Sequence, residues 1–267
     1  MSRGKAYSHV AQIYAILILS IIAFHVLGKE AAPYLLTGVF YVVDFLVLML
    51  FASFVHRTPL RDLGFTSENR VVALASGLLA SAGYIVLVPF FQVPAAFSGV
   101  ELWIPLFTCF MIGLTEEGFF RGYIQGRLKQ AHDSVTAIAL TALLFSAAHI
   151  PKYLLSYQGG LYAGALVVEA LRSVLIIGVL LGFLYEIVGN LWCVILAHAT
   201  WDLYLILFPP PQSLDLTSLL GFLLLSTVTT GGTMGASVAW ALQRTRTPLI
   251  IPWREPPRAE APRGERA

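Results

Sequence analysis

The feature of this chain that most limits its fold is a succession of long apolar stretches separated by short polar connections. A helix needs about 20 apolar residues to cross the hydrocarbon core of a bilayer. Eight stretches approach that length, at residues 11–28, 34–55, 71–93, 102–127, 134–155, 173–188, 190–208 and 216–240. They show no period-two alternation, so strands are not expected. The pattern predicts an all-α, polytopic membrane protein with about eight transmembrane helices.

The composition agrees with a bilayer as the solvent. Hydrophobic residues make up 57% of the 267 positions and charged residues only 12%, whereas roughly 25% of the residues in a soluble domain are charged. No basic segment interleaved with aromatic residues indicates binding to nucleic acid. Cys109 and Cys193 lie inside apolar stretches, and they are interpreted as packing residues rather than as a disulfide or a metal-binding pair.

The placement of positive charge predicts the orientation. Most of the 17 Lys and Arg residues fall on one side of the predicted helices, so both termini are expected in the cytoplasm. Residues 1–251 are expected to form a single membrane domain, with 11–28 kept as its first helix rather than cleaved as a signal peptide. Residues 156–172 are predicted to form an outer loop. Residues 252–267, rich in Pro and Arg, predict a disordered cytoplasmic tail. The expected location is the plasma membrane, taken as bacterial.

Ionisable residues within three of the predicted helices demand an explanation, because burying each one costs at least about 2.5–3.5 kcal/mol. Glu116 and Glu117 lie on the fourth helix, His149 on the fifth, and His198 with Asp202 on the seventh. The helical rise places these groups at interior depths. They are therefore expected to meet in one polar cavity rather than to be scattered packing residues.

The spacing on the fourth helix separates two roles. Glu117 and Arg121 are four residues apart, so they share a face and can form an ion pair. Glu116 is rotated by about 100° from Glu117 and points elsewhere. Glu116 therefore cannot share this pairing in the same way.

Three other ionisable residues are interpreted more cautiously from their positions. His25, alone on the first helix, is interpreted as a packing residue that bonds a neighbouring helix. Asp44 on the second helix is assigned equally to a structural partner of a buried cation or to the cavity. Glu186 lies near a helix end and is expected among water or headgroups.

The cavity residues suit two kinds of chemistry. A buried glutamate can act as a general base on water with one histidine beside it, and a second histidine with a partner one turn away can donate to an oxyanion. The same Glu116, His149 and His198 are also a reasonable zinc ligand set with an open position for water. No GxSxG or HExxH motif is present. No cofactor is assigned at this point, and zinc is the alternative.

Three short motifs give a resemblance to a known family. They read EExxxR, FxxxH and HxxxD, at residues 116–121, 145–149 and 198–202. Their order and their placement on separate helices resemble the CPBP family of intramembrane proteases, also called the Abi or CAAX-protease family, which includes Rce1-type prenyl-protein proteases. The resemblance spans about residues 59–208, and it implies a helical membrane fold and a peptidase activity.

The resemblance implies a role for each motif residue of the fourth and fifth helices. Glu116 would be the general base that activates water, and His149 would help to position that water. Glu117, Arg121 and Phe145 would support the site structurally. The implied reaction is the hydrolysis of a peptide bond in a membrane-associated peptide or protein, within the bilayer.

The seventh helix carries the one departure from the family pattern. The resemblance implies that His198 and the residue at position 202 stabilise the oxyanion. The prenyl-protease branch typically has Asn at that position, a ready donor, whereas Asp202 can donate only when it is protonated. Family members include glutamic proteases and metalloproteases, so zinc stays an alternative to the metal-free reaction.

Two functions of other classes compete with the peptidase. A non-enzymatic membrane protein, such as an immunity or partner-stabilising factor, would keep the scaffold without needing Glu116 or His149 for its effect. A proton or ion transporter would use the buried acids and histidines, but the chain shows no internal repeat and no helix pair broken by Gly or Pro. The intact motif set favours the peptidase.

Overall fold

The structure is a computed structural model, and it describes residues 2–27, 34–87, 99–151, 154, 161–207 and 216–245. Every regular element within these ranges is helical, which confirms the predicted all-α class. The main helices of this described part are α1 (Arg3–Leu27), α2 (Tyr34–Leu50), α3 (Arg70–Leu87), α4 (from Trp103), α5 (Ser134–Ala148), α6 (Leu161–Val188), α7 (Trp192–Leu207) and α8 (Leu216–Thr245). The predicted tail at 252–267 and the side chain of His25 lie outside the described residues.

Two of the helices change their winding along their length. Helix α2 continues into a π-helical turn at Phe51–Val55. Helix α4 is α-helical at Trp103–Glu117, π-helical at Gly118–Gln125 and α-helical again at Gly126–Leu128. The π-helical segment of α4 begins directly after the two glutamates, so the irregular winding coincides with the predicted site.

Three described segments are long and apolar enough to cross a bilayer by themselves, namely Arg3–Phe24, Tyr34–Val55 and Leu171–Val188. Large apolar side chains cover the outer helix surfaces, and Leu19 and Phe54 are 67% and 77% exposed. Such surfaces suit lipid rather than water. Eight crossings and cytoplasmic termini stay predictions.

One sequence prediction about the connections is wrong. Residues 156–172 were expected to form an outer loop, but helix α6 begins at Leu161 and includes residues 161–172. The prediction began this helix at residue 173, after the charged Glu169 and Arg172. These charges end an apolar run, yet they leave the backbone hydrogen bonds of a helix intact, and the neighbouring Ala and Leu residues favour helix.

Helix α4 joins the two halves of the interior. One apolar cluster is built mainly from α3, α6, α7 and α8, and it includes Met111 and Leu114 of α4. The other is built mainly from α1, α2, α4 and α5, and it includes Phe120 and Ile124 of α4. Because α4 packs against both α2 and α7, its glutamates lie where the two clusters meet.

A close approach between α4 and α7 depends on Gly113. A Cβ added at Gly113 would lie 2.9 Å from the carbonyl oxygen of Ile195 and 3.1 Å from the backbone nitrogen of Ala199. Small residues at such crossings allow helix backbones to pack directly on each other. Since Gly113 is one turn before the two glutamates, this approach brings them beside His198 of α7.

The start of α7 is fixed by the connection that precedes it. Gly189 has a φ of +67°, in the left-handed region that glycine adopts easily. The buried Asn190 side chain donates hydrogen bonds to the carbonyl oxygens of Thr66 (3.1 Å) and Glu68 (2.6 Å) and accepts one from the backbone N–H of Trp192 (3.0 Å). These bonds tie the beginning of α7 to the loop before α3.

Helix α5 has its own defined start. The Asp133 carboxylate accepts hydrogen bonds from the backbone N–H (3.0 Å) and the hydroxyl (2.6 Å) of Thr136. This is the bonding of an N-cap residue, and it lowers the pKa of Asp133. The cap sets the register of α5, which ends at the motif residue His149.

Candidate active site

The predicted ion pair on α4 is present and fully buried. The Arg121 Nη1 atom donates to Glu117 Oε1 at 2.7 Å, and both side chains are completely shielded from solvent. Arg121 also donates through Nη2 to the carbonyl oxygen of Gly178 on α6, at 3.1 Å. A buried charge pair needs such additional bonds to offset its desolvation. Arg121 therefore links α4 to α6 while it balances Glu117.

Glu117 has a second partner that the spacing on α4 alone does not indicate. Its Oε1 atom lies 2.7 Å from His198 Nδ1. A carboxylate oxygen only accepts, so Nδ1 carries the hydrogen and the ring orientation is fixed. Glu117 thus orients His198 in addition to supporting Arg121.

The other nitrogen of His198 faces two more carboxylates. His198 Nε2 lies 3.7 Å from Glu116 Oε2 and 3.6 Å from Asp202 Oδ2. Both distances exceed that of a direct hydrogen bond but fall within the range of charge interaction. The structure therefore brings Glu116, His198 and Asp202 together. Asp202 is the most open of the three, with 24% of its side chain exposed.

Phe145 packs against both histidines. Its ring makes edge contacts with His149 and His198, at centroid distances of 5.0 Å and 6.0 Å. The Arg121 guanidinium lies over the same ring, 4.5 Å from its centroid. The aromatic residue of the FxxxH motif is therefore a packing element that spaces these polar groups.

His149 lies at the C-terminal end of α5. Its Nδ1 donates to the carbonyl oxygen of Phe145 at 2.9 Å. In the neutral ring, this bond leaves Nε2 as the acceptor. The bond is local to one helical turn, which explains why the motif places the two residues four positions apart.

Glu116 and His149 line a common cavity of about 280 Å³. Helices α1, α2, α4 and α5 form its walls, and its surface is mainly apolar. Its other polar lining residues are Thr37, Tyr41 and Asp44 of α2. His198 and Asp202 are not among the described lining residues. Glu116 therefore connects the cavity to His198.

Two of these cavity residues, Tyr41 and Asp44, were not assigned to the site by the motifs. The Tyr41 hydroxyl donates to Glu116 Oε1 at 3.0 Å, and the Thr115 hydroxyl donates to the Tyr41 carbonyl oxygen at 2.9 Å. The sequence signal for Tyr41 is its position inside an apolar helix, because a buried tyrosine hydroxyl usually finds a hydrogen-bonding partner. Glu116 Oε2 is buried and has no hydrogen-bonding partner among the described residues.

The donor arrangement does not fit the zinc alternative. Within the described part of the chain, no three His, Cys, Asp or Glu side chains are placed as a metal ligand set. His198 Nδ1 is bonded to Glu117 and His149 Nδ1 to a backbone carbonyl, so only the Nε2 atom of each ring is left for an ion. The arrangement instead presents a carboxylate to a cavity, with an oriented imidazole behind it.

The comparisons with known proteins agree with the motif pattern. Residues 97–204 match the family model described as "Type II CAAX prenyl endopeptidase Rce1-like". No curated protein and no solved structure matches the chain. The matched segment contains all three motifs and begins before α4. This match over 97–204 supports the resemblance to the CPBP family of CAAX-type proteases, and together with the apolar helices it supports an integral membrane protein.

Proposed function

We propose that this protein is an intramembrane endopeptidase that hydrolyses a peptide bond with a water molecule activated by Glu116. The supporting observation is the hydrogen bonding of the Glu116 carboxylate. Its Oε1 is held by the Tyr41 hydroxyl, while its buried Oε2 has no hydrogen-bonding partner among the described residues. A general base needs a free oxygen within reach of the water it deprotonates.

In the proposed reaction, Glu116 Oε2 takes a proton from water as the oxygen attacks the substrate carbonyl. His149 lines the same cavity and holds the water through its Nε2 acceptor. Glu116 then returns the proton to the nitrogen of the leaving amine, so that the C–N bond breaks with atoms and charges balanced. The apolar walls limit the entry of other water molecules.

His198 is proposed to stabilise the tetrahedral oxyanion. In the protonated ring, Nε2–H faces Glu116 and Asp202, because Nδ1–H is committed to Glu117. A preorganised donor beside the developing charge is the usual basis of such stabilisation. Asp202 then serves to hold the charge of His198, which is a role that a carboxylate fills without being protonated. No step of this reaction requires a metal ion.

The membrane location and the apolar cavity favour a membrane-associated peptide, including a lipidated one, as the substrate. The cavity walls include side chains of α1 and α2, which are two of the segments able to cross a bilayer. A substrate segment that lies in the bilayer can reach a cavity with such walls without first entering water. The bilayer and this peptide are the proposed partners.

The variant Glu116→Gln tests the proposed function. Glutamine keeps the size and the bond from Tyr41 but cannot accept a proton from water, so cleavage should fall at least about a thousandfold, the upper part of the range for a lost general base. The purified protein in detergent is incubated with a library of membrane-partitioning peptides, and the products are identified by mass spectrometry.

A surface glutamate supplies the control for this experiment. Glu68 is exposed in the loop before α3, so Glu68→Gln should cleave like the parent protein. Both variants are compared by thermal unfolding to show that they are folded. Full activity of a folded Glu116→Gln protein would refute the proposed role of Glu116.

A further inference from the structure

Asp44 is a buried carboxyl group that the proposed reaction does not use. Asp44 lies on α2, and only 6% of the residue is exposed. Its Oδ1 atom accepts a hydrogen bond from the Ser20 hydroxyl of α1. Its Oδ2 atom is buried and has no hydrogen-bonding partner among the described residues. Half of this carboxylate is thus left unsatisfied next to the cavity.

The cavity that Asp44 lines brings together two carboxyl groups and one imidazole, that of His149. It contains the carboxyl groups of Asp44 and Glu116, and no Lys or Arg is among its described lining residues. Arg121 is bonded to Glu117 and to a backbone carbonyl on α6, and it is not among the described residues that line the cavity. Two carboxyl groups in a mostly apolar cavity favour an occupant that brings a positive charge and hydrogen-bond donors.

Asp44 lies close enough to Glu116 for a positively charged group bound at Asp44 to be near the scissile bond. Asp44 follows Tyr41 by three residues on α2, and Tyr41 is bonded to Glu116. Neighbours at this spacing lie on one helix face, within about 5–6 Å of each other. The cavity of about 280 Å³ has room beyond the attacking water, which takes about 30 Å³. A long side chain beside the reacting carbonyl can therefore reach Asp44.

We propose that Asp44 determines specificity by binding the ammonium or guanidinium group of a Lys or Arg residue close to the scissile bond of the substrate. The proposal rests on the proposed peptidase function and names a feature of its substrate. The bound cation would satisfy Oδ2 and balance one of the two cavity carboxylates. Oδ1 would keep its bond to Ser20.

A purely structural role for Asp44 makes a different prediction. If Asp44 served only to tie α1 to α2, its contribution would depend on the bond to Ser20 and not on its charge. Ser20→Ala removes that bond and keeps the carboxylate, whereas Asp44→Asn keeps a hydrogen-bonding side chain and removes the charge. The pair of variants therefore separates the two roles.

Peptide binding to the inactive Glu116→Gln protein tests the proposal without requiring cleavage. The probes are capped apolar peptides that are identical except at one scanned position, which carries Lys, acetyl-lysine, norleucine or Glu. The Lys peptide should bind at least about tenfold more tightly than the norleucine peptide at one position, which corresponds to 1.4 kcal/mol. This ratio should approach one when Asp44→Asn is added and should persist when Ser20→Ala is added.

Three results would overturn the proposal: equal binding of the Lys and norleucine peptides at every position, a Lys preference that survives Asp44→Asn, or loss of the preference in Ser20→Ala as well. The third result would assign the preference to the packing of α1 on α2. Thermal unfolding verifies that each variant is folded. Asp44→Ser, which also removes the charge and keeps a hydroxyl near Ser20, replaces Asp44→Asn if that variant does not fold.

Cleavage of the same peptides by the parent protein distinguishes this proposal from the peptidase function. Cleavage without any preference for Lys or Arg would refute the role of Asp44 and leave the peptidase intact. Preferential binding of the Lys peptide to a protein that cleaves none of the peptides would support the Asp44 site and count against the peptidase.

Discussion

Glu117 is the residue on which the arrangement of the site depends most directly. One of its oxygens, Oε1, lies 2.7 Å from both Arg121 Nη1 and His198 Nδ1. It therefore balances a buried cation and orients an imidazole at the same time. The second function resembles that of the third member of a catalytic triad, which holds the imidazole in its working orientation.

The variant Glu117→Gln tests whether the charge of Glu117, and not only its size, is needed for stability and cleavage. Glutamine leaves the Arg121 charge uncompensated in a fully buried site, which should cost about 3–5 kcal/mol of stability. Glutamine can still accept from His198 Nδ1 but lacks the negative charge that favours the protonated ring, so the cleavage rate should fall by about a hundredfold or more. Thermal unfolding in detergent and peptide cleavage measure the two effects.

A double variant divides the two roles of Glu117. Glu117→Gln combined with Arg121→Met removes both charges and should regain much of the lost stability, because no unpaired ion is buried. Cleavage should stay low, since His198 still lacks its carboxylate partner. Recovery of cleavage in the double variant would show that Glu117 serves only to neutralise Arg121.

At the scale of the helices, the crossing of α4 and α7 sets the distance between the carboxylates and His198. Gly113→Ala tests that crossing, because the new Cβ would lie 2.9 Å from the Ile195 carbonyl oxygen and would force the backbones apart. Overpacking of this kind should cost about 1–3 kcal/mol and should reduce cleavage by moving Glu116 away from His198.

Gly126→Ala is the matched control on the same helix. A Cβ at Gly126 meets no atom within 4 Å, and alanine in a helix is about 0.5–1 kcal/mol more favourable than glycine. Gly126→Ala should therefore be neutral or stabilising, with cleavage unchanged. Equal behaviour of the two variants in thermal unfolding would contradict the importance of the close approach at Gly113.

The sequence predicted those helices whose ends coincide with the ends of apolar runs. The prediction of 190–208 is close to the observed α7, Trp192–Leu207, because polar residues bound the run on one side and prolines on the other. The early start of α6 was missed, since charged residues interrupt hydropathy without interrupting helical bonding. The π-helical winding of α4 at Gly118–Gln125 has no signature in a pattern of apolar residues.

The same distinction applies to the candidate site. The pairing of Glu117 with Arg121 follows from helical spacing, and the motifs pointed to His149 and His198. The contacts of Tyr41 and the environment of Asp44 depend on how α2 packs on α4, which no local spacing encodes. Sequence therefore predicted the members that share a helix or a motif better than those that meet only through tertiary packing.

At the scale of the whole molecule, a second polar cluster lies at the opposite end of α4 from Trp103. His56, just after α2, bonds through Nε2 to the Gln12 amide oxygen of α1 at 3.0 Å and through Nδ1 to the Tyr123 hydroxyl of α4. Its ring stacks on His9, with the centroids 3.8 Å apart. Neutral His56 thus has a partner for each nitrogen and joins three helices.

This cluster predicts a loss of stability in acid. Burial, and after it the positive charges of His9, Arg127 and Lys5, together lower the pKa of His56 from 6.5 to about 4. The folded protein therefore binds fewer protons than the unfolded chain between these values. The contribution of neutral His56 is fully present above pH 6.5 and is lost as the pH falls towards about 4.

Thermal unfolding of the parent protein and of His56→Gln, measured across this pH range, tests the expectation. The parent should lose stability more steeply on acidification, because glutamine does not titrate and can keep one of the hydrogen bonds. The two curves should converge towards the acid end of the range. Parallel curves throughout would show that other groups control the acid response.

The double bonding of Glu117 also has a consequence for the order in which the protein is made. Its pair with Arg121 lies four residues away on the same helix, so these two charges can neutralise each other while that helix is entering the membrane. Its bond to His198 spans 81 residues and has to wait until α7 has been synthesised and inserted. A chain made only as far as α4 therefore has this ion pair but no oriented imidazole, so the proposed peptidase should be inactive until the later helices arrive.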